Sequence, residues 1–202
     1  MTERAADLAD QDLVLVAQQA PPGDMRAFET LVQRHQSRVL ANCRYLTKSS
    51  PDSEDLAQEV FVKAYFGLKG FEGRAQFKTW LQRIKVNHCL NFLRKNEGKT
   101  FKNIEEPGLE NQTELRVDES ADRRAENVGA RERIAAVLDT LPDTLRVPLL
   151  MRDLDGFSYE EIAETLKIGL SAVKMRIKRG REEFRARYLA VSTPETGEFD
   201  GR

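Results

Sequence analysis

The sequence GFSYEEIAETLKIGLSAVKMRIKRGR, residues 156–181, predicts two helices joined by a tight turn. Ser158 is followed three residues later by Glu161, which is the pattern of a capping box at a helix start. After a four-residue turn at residues 167–170, Ser171 is placed to cap a second helix. Two short helices at this spacing are typical of a helix-turn-helix, in which they cross at roughly 90–120°.

The second of these helices would present a basic face to solvent. From Lys167 to Tyr188 the sequence has eight basic and two acidic residues, a net charge of +6. An α-helix fits the DNA major groove, where Lys and Arg side chains can bond guanine or phosphate. A helical hairpin with a solvated basic face is the alternative, and the concentration of charge favours DNA binding.

The charge of the whole chain is balanced but unevenly distributed. The 202 residues carry 32 Lys and Arg against 33 Asp and Glu, a net charge of −1. A second basic stretch, from Arg74 to Lys102, has eight basic residues and one acid. Between the two stretches, residues 97–126 carry nine acids and five bases. Two basic stretches on either side of an acidic connector predict two sites for a polyanion.

Helical periodicity dominates the rest of the chain, and no alternating strand pattern stands out. Apolar residues three and four apart predict helices over residues 25–46, from residue 51, and over about 77–95, with Asp24 and Asp52 as caps. The predicted class is all-α, with two small helical domains joined by an irregular acidic linker. The predicted boundaries are 1–95 for the first domain, 96–126 for the linker, 127–190 for the second domain and 191–202 for a disordered tail.

Several classes of protein are disfavoured by what the sequence lacks. It has no apolar run near the ~20 residues of a membrane span and no apolar N-terminal stretch like that of a signal peptide, so a cytoplasmic protein without membrane insertion is predicted. His35, Cys43, His88 and Cys89 are scattered, which predicts no metal or other cofactor; His35 and Cys43 are expected in the core. No P-loop and no nucleophile with a partnered base is present, which disfavours an enzyme.

One proline conflicts with the helical pattern. Pro148 falls inside the helix expected from about Asp143 to Leu154. A proline in a helix interior costs about 3 kcal/mol, because it lacks an N–H and its ring crowds the preceding turn. The sequence therefore predicts that this helix starts late or bends.

Both halves of the chain resemble one family. Residues 141–181, with Leu141-Pro142 and the runs 156–163 and 171–177, resemble the C-terminal promoter-binding domain of bacterial RNA polymerase sigma factors. Residues 52–61 (DSEDLAQEVF) are similar to the sigma region 2 helix that binds core polymerase, and residues 77–87 to the helix that melts promoters. With two domains and a short linker, the chain resembles the extracytoplasmic-function (ECF) sigma factors.

The resemblance implies a transcription initiation factor. It would bind core RNA polymerase, direct it to the −35 and −10 promoter elements of a stress- or signal-responsive regulon, and promote DNA melting. The implied partners are the beta-prime clamp helices and beta flap of the polymerase, promoter DNA and an anti-sigma factor. The linker would thread into the polymerase cleft, although its composition fits a solvated tether equally well. The residues implied to bind polymerase are Asp52, Asp55, Gln58 and Glu59.

The promoter-binding residues are also assigned by resemblance. At the −10 element, Asn87 and Asn91 lie four apart and share a reading face, and the loop from Gly70 to Gln76 would cover a flipped base. The −10 set is Phe71, Arg74, Lys78, Arg83, Lys85, Asn87 and Asn91, with Phe77 and Trp80 expected in the core. The −35 set is Ser171, Ala172, Lys174, Met175, Arg176, Lys178, Arg179 and Arg181, with the three arginines mainly on phosphates.

Two other functions remain open from the residues alone. A one-component regulator could use the same helix-turn-helix, with the N-terminal half as a sensing or dimerising module. Such a regulator would bind duplex DNA by itself, whereas a small sigma factor needs core polymerase to bind well. A nucleic-acid enzyme could use the acids of residues 52–59 as a metal site, but Leu56 and Val60 among them favour a docking surface.

Overall fold

The computed structural model describes residues 8–48, 50–97 and 124–192, and all regular secondary structure within them is helical. The predicted all-α class is confirmed. The chain divides into two compact units, one on each side of residue 100. The first contains α1 (Asp10–Gln19), α2 (Arg26–Leu46), α3 (Ser53–Leu68) and α4 (Phe77–Glu97). The second contains α5 (Arg124–Thr140), α6 (Asp143–Asp153), α7 (Tyr159–Leu166) and α8 (Leu170–Ser192).

The first unit is built around α2, which packs against α1, α3 and α4. Its core combines apolar residues from all four helices, which include Leu13, Leu31, Val60, Leu81 and Leu90. Apolar residues of α3 that recur at steps of four, Leu56, Val60, Ala64 and Leu68, form a stripe along the helix and are all buried. Burial of this stripe leaves the opposite side of α3 at the surface.

The two predicted aspartate caps of this unit take different forms. The predicted cap at Asp24 is wrong, because Met25 occupies the N-cap position of α2. The Asp24 carboxylate instead accepts a hydrogen bond from the Arg26 backbone N–H at 3.2 Å and forms an ion pair with the Arg26 guanidinium at 2.7 Å. These bonds from Arg26 lower the pKa of Asp24 to about 2. Asp52 holds the N-cap position of α3 but makes no capping bond; its carboxylate accepts from the Ser50 hydroxyl instead.

In the second unit, α6 and α7 pack on α8, and α5 packs along the same helix. The predicted capping box is present: the Ser158 N–H donates to Glu161 Oε2 at 2.8 Å, and the Glu161 N–H donates to Ser158 Oγ at 3.1 Å. The predicted cap at Ser171 is wrong, because α8 begins one residue earlier. The first helical bond runs from the Val173 N–H to the Gly169 carbonyl, so Ser171 lies in the first turn.

Pro148 lies in the interior of α6, which starts at Asp143 and continues to Asp153. The backbone N–H groups of Leu145 and Arg146 both donate to the Pro142 carbonyl, so the first turn is fully formed. Of the two expected outcomes, the late start is therefore wrong, and the bend stays a prediction. The missing N–H of Pro148 deprives the carbonyl four residues earlier of its usual helical partner.

The helices extend beyond the predicted domain boundaries. α4 continues through residue 97 and α5 begins at residue 124, so both ends of the predicted linker are helical. Residues 191 and 192, assigned to the tail, belong to α8. The remaining linker residues, 98–123, and tail residues, 193–202, lie outside the described part of the chain.

Candidate nucleic-acid and polymerase interfaces

The outer side of α3 carries the acidic face predicted to bind polymerase. Asp52, Asp55, Gln58 and Glu59 are all exposed, on the side of the helix opposite its buried stripe. One turn further along, Val62 and Phe66 remain 54% and 77% exposed. Sequence reasoning missed these two residues, although both are large apolar side chains that fall off the core stripe. The face is therefore acidic near the start of α3 and apolar near its end.

A histidine on α4 contacts this acidic face. His88 Nε2 lies 2.8 Å from Glu59 Oε2, and the His88 side chain is largely buried. Burial lowers the pKa of His88 below its ordinary value, although Glu59 acts in the opposite direction. The contact joins the outer edge of α3 to α4. The sequence analysis gave His88 no such role, because nothing in its spacing identifies a partner on another helix.

The exposed side of α4 carries most of the residues predicted for the −10 element. Arg83, Asn87 and Asn91 follow one another at steps of four and are all exposed. Arg94 Nη1 donates to Asn91 Oδ1 at 3.4 Å, one turn further along. Lys78 at the start of α4 and Arg74 in the preceding loop are exposed as well. Arg83, Asn87 and Asn91 therefore place one cationic and two amide groups on one face of α4.

Two members of the predicted −10 set lie inside the unit. Lys85 is 0% exposed, so its side chain is not at the surface where a phosphate could contact it. Phe71 is buried, with its ring centroid 4.9 Å from Trp80 and 6.4 Å from Phe77. Phe77 is buried as expected, whereas Trp80 is half-buried. A Cβ at Gly67, inside α3, would stand 3.2 Å from the Trp80 ring, so this glycine permits close packing.

The outer face of α8 carries six of the eight residues predicted for the −35 element, among them the partly exposed Ala172. Ser171, Lys174 and Arg179 are exposed, and Met175 and Lys178 are partly exposed. The helix-turn-helix packing places this face opposite α6 and α7. The surface offers hydroxyl, ammonium, thioether and guanidinium groups, which suit the edges and phosphates of duplex DNA.

Two arginines predicted to contact phosphate are engaged inside the second unit. Arg176 is buried, and burial lowers the pKa of its guanidinium. Arg181 forms a two-point ion pair with Asp153, from Nε to Oδ2 at 2.9 Å and from Nη2 to Oδ1 at 2.6 Å. This pair joins α8 to the end of α6. Both arginines therefore contribute to packing of the unit in this structure.

The described residues contain no group of three or more His, Cys, Asp or Glu that could hold a metal ion. Cys43 is buried, as expected, and its Sγ lies 3.6 Å from that of Cys89. His35, also expected in the core, is half-buried and pairs with Asp10. No helix among the described residues has the length and apolar character of a membrane span.

The helical unit with its acidic and basic faces, joined to a helix-turn-helix unit, defines a DNA-binding protein of the sigma-70 class. Residues 31–99 match the family model for Sigma-70 region 2, and residues 131–184 match Sigma-70, region 4. The chain is 36% identical over 180 residues to the ECF RNA polymerase sigma-E factor of Escherichia coli K12, covering 87% of this chain and 92% of that protein. The chain belongs to the ECF RNA polymerase sigma factor family.

Two solved structures share the fold of this chain. The structure of CnrH in complex with the cytosolic domain of CnrY matches 91% of this chain and 99% of its own, with 26% sequence identity and a TM-score of 0.56. A sigma factor from Bartonella quintana, RpoE, solved with the anti-sigma factor NepR, shares the fold at 20% identity and a TM-score of 0.53. As a member of the family, the protein is a transcription initiation factor that directs RNA polymerase to promoters; sigma factors are regulatory factors rather than enzymes.

Proposed function

We propose that three exposed surfaces of this chain bind three different partners during initiation. The outer face of α3 binds core polymerase, α4 and the loop before it bind the −10 element, and α8 binds the −35 element. The observation that carries this proposal is the separation of charge. The acids are exposed on α3, while exposed bases and amides lie on α4 and α8. The α3 surface therefore suits a basic partner, whereas the α4 and α8 surfaces suit nucleic acid.

The α3 surface suits a basic partner. Asp52, Asp55 and Glu59 provide negative charge, and Gln58 adds an amide that can both donate and accept hydrogen bonds. Complementary charge steers encounter and selects among partners more than it raises affinity. The proposed partner surface is the clamp helices of the beta-prime subunit. The first turn of a helix also favours acids, but that effect does not explain Gln58 and Glu59 a turn later.

The α4 surface suits single-stranded DNA. Asn87 and Asn91 can bond the edges of unstacked bases, while Lys78, Arg83 and Arg74 can neutralise backbone phosphates. The burial of Lys85 and Phe71 argues against direct contact with DNA by either residue. We therefore remove both from the DNA-contacting set. Phe71 instead anchors the loop from the inside, through its packing on Trp80.

The α8 surface suits duplex DNA. We assign Ser171, Lys174, Met175 and Lys178 to the base edges and Arg179 to phosphate, because these side chains reach solvent on the outer face. The engagement of Arg176 and Arg181 within the unit limits both to supporting roles. The beta flap of the polymerase is the proposed docking partner of this unit.

Regulation is proposed at the level of a protein partner. CnrH was solved in complex with the cytosolic domain of CnrY, and the sigma factor RpoE from Bartonella quintana was solved with the anti-sigma factor NepR; this chain matches CnrH over nearly its full length. We propose that an anti-sigma factor holds this chain until a stress or other signal releases it for its own regulon. Because the polymerase and the chromosome are cytoplasmic, we place its action in the cytoplasm.

Run-off transcription with bacterial core polymerase and sheared genomic DNA tests the proposal. New transcripts that require the chain are expected, and their upstream sequences will share two elements. Asp55→Lys should abolish them, whereas Glu29→Lys, an exposed acid on α2, should not. Duplex binding by the chain alone, without new transcripts, would support a one-component regulator instead.

A further inference from the structure

The loop between α3 and α4, residues 69–76, is the part of the proposed −10 surface with the least support from regular structure. It is seated by Phe71, whose ring packs on Trp80. Its turn at Gly73 has a φ of +71°, a backbone conformation that glycine adopts without strain. The carbonyl groups of such a loop lack the donor that a continued helix would give them, so they need hydrogen-bond donors from elsewhere. The Leu68 carbonyl already accepts from the Phe71 N–H at 3.0 Å, and its second lone pair can accept another bond.

Helix α1 supplies these donors through two glutamine side chains. Gln18 Nε2 donates to the carbonyls of Leu68 and Phe71, each at 2.8 Å, although these residues lie 50 and 53 positions away in sequence. Gln11 Nε2 donates to the Ala75 carbonyl at 3.3 Å. The two glutamines are seven residues apart, so they lie on the same face of α1, two turns from each other. The loop is therefore held at both its beginning and its end.

Helix α1 is itself firmly attached to the unit. Leu13 is fully buried in the core. At the start of the helix, Asp10 accepts from Arg34 Nη1 at 2.9 Å and lies 2.6 Å from His35 Nε2. Partial burial opposes ionisation of Asp10, but these two partners hold its pKa below the usual value. The anchored helix gives Gln18 a fixed position from which to hold the loop.

We propose that Gln18, with help from Gln11, is a positioning residue that fixes the loop 69–76 in the conformation that receives an unstacked base of the −10 element. The inference rests on the proposed role of this surface in −10 binding. One amide group has two N–H donors, which matches the two carbonyls at the loop entrance. Without these donors, the loop would sample other conformations. Part of the free energy of DNA binding would then be lost in ordering it, and the affinity would fall.

Three variants separate positioning from packing. Gln18→Met keeps the length of the side chain and removes both donors. Gln18→Lys keeps a flexible group with three N–H donors and should restore the bonds. Gln19→Met is the matched control, since Gln19 is exposed on the same helix and makes no side-chain hydrogen bond within the described residues. Thermal unfolding of each variant checks that α1 still folds onto the unit.

The readout is binding of reconstituted holoenzyme to single-stranded non-template DNA that carries the −10 element. Gln18→Met should weaken this binding about five- to tenfold, in line with the loss of two hydrogen bonds. Affinity for core polymerase and for a duplex containing only the −35 element should stay within about twofold of wild type. Gln18→Lys and Gln19→Met should bind the oligonucleotide as wild type does.

Oligonucleotides with a single abasic site separate positioning from a general structural effect. When the base received by the loop is absent, wild type and Gln18→Met should bind the oligonucleotide with equal affinity. When a different base is absent, Gln18→Met should still bind more weakly than wild type. Equal affinity of wild type and Gln18→Met for the intact oligonucleotide would overturn the inference. It would also be overturned if Gln18→Met bound more weakly than wild type whichever base was removed. If wild-type holoenzyme itself fails to bind the oligonucleotide, the proposed −10 role fails and the inference fails with it.

Discussion

The buried ion pair of the second unit makes a quantitative prediction. Arg146 is 0% exposed and its Nη2 donates to Asp143 Oδ1 at 2.8 Å, while the Asp143 side chain is only 5% exposed. Asp139 Oδ1 stands 4.0 Å from Nη1, at the limit of an ion pair. Asp143, at the start of α6, therefore lies closer to this guanidinium than Asp139 does.

Asp143→Ala should destabilise the second unit severely. Removal of one member of a buried ion pair typically costs about 3–5 kcal/mol, because the remaining charge stays in the core. Asp139 retains part of the compensation, so we expect a value near 3 kcal/mol, or roughly a hundredfold in the folding equilibrium. Small domains have only about 5–15 kcal/mol in total. Asp143→Ala combined with Arg146→Met should recover most of the loss, since no charge then remains buried.

Hydrogen exchange of peptides from α6, α7 and α8 measures this loss directly. Trp80 is the only tryptophan in the sequence and lies in the first unit, so its fluorescence during urea unfolding is an internal control that should not change. A change below about 1 kcal/mol for Asp143→Ala would refute the reasoning, because it falls within the range of surface ion pairs. A double variant as unstable as the single one would refute it too.

Further predictions concern a strained turn, the DNA contacts and pH. Lys167 ends α7 with a φ of +57°, so Lys167→Gly should stabilise the second unit by about 1 kcal/mol in thermal unfolding; a lower melting temperature would contradict this. Lys174→Ala should change base preference at the −35 element in promoter selection, and an unchanged profile would show that our register for α8 is wrong. Arg179→Ala should weaken binding to all promoters alike and reduce the slope of log K against log salt by about one; an unchanged slope would exclude a phosphate contact. Burial lowers the pKa of His88 below 6.5, so between the two pKa values the unfolded state binds more protons. Stability of the first unit should therefore rise as pH increases through the range just below 6.5, and His88→Gln should remove this contribution; the urea midpoint by tryptophan fluorescence is the measurement, and an identical pH dependence in the variant would contradict the assignment.

Local patterns in the sequence predicted local structure well. The capping box at Ser158 and Glu161 formed as expected, because both partners lie within one turn and need no other part of the chain. The buried stripe of α3 was likewise predictable from residues three and four apart. In both cases the decisive interactions follow from the geometry of a single helix.

The exposure of basic residues was predicted less well, although part of the signal was present. Lys85 lies at a step of four from both Leu81 and Cys89, which are core residues, so the spacing itself places it on the buried face. Arg176 similarly adjoins Ile177 and follows Val173 by three residues. Both residues were predicted to face solvent because they are charged, although their spacing from core residues predicts burial.

Contacts between distant parts of the chain could not be predicted from the sequence. The pairing of Arg181 with Asp153 spans 28 residues, and the bonds from Gln18 to the loop span 50 and 53. A glutamine or arginine on a helix surface carries no local sign of such a partner. The packing of whole helices determines it, and that arrangement depends on the complete core.

The distribution of charge explains how a chain with a net charge of −1 can serve a polyanion. At physiological salt, a charge acts over about 8 Å, so each surface responds to its own groups and not to the sum over the molecule. The exposed acids near the start of α3 therefore leave the exposed bases of α4 able to act at contact. They do reduce the long-range attraction that would otherwise draw the free chain to any DNA. A balanced total with separated faces thus suits the order of events that we propose, in which the acidic face meets its basic partner before the basic faces bind a promoter.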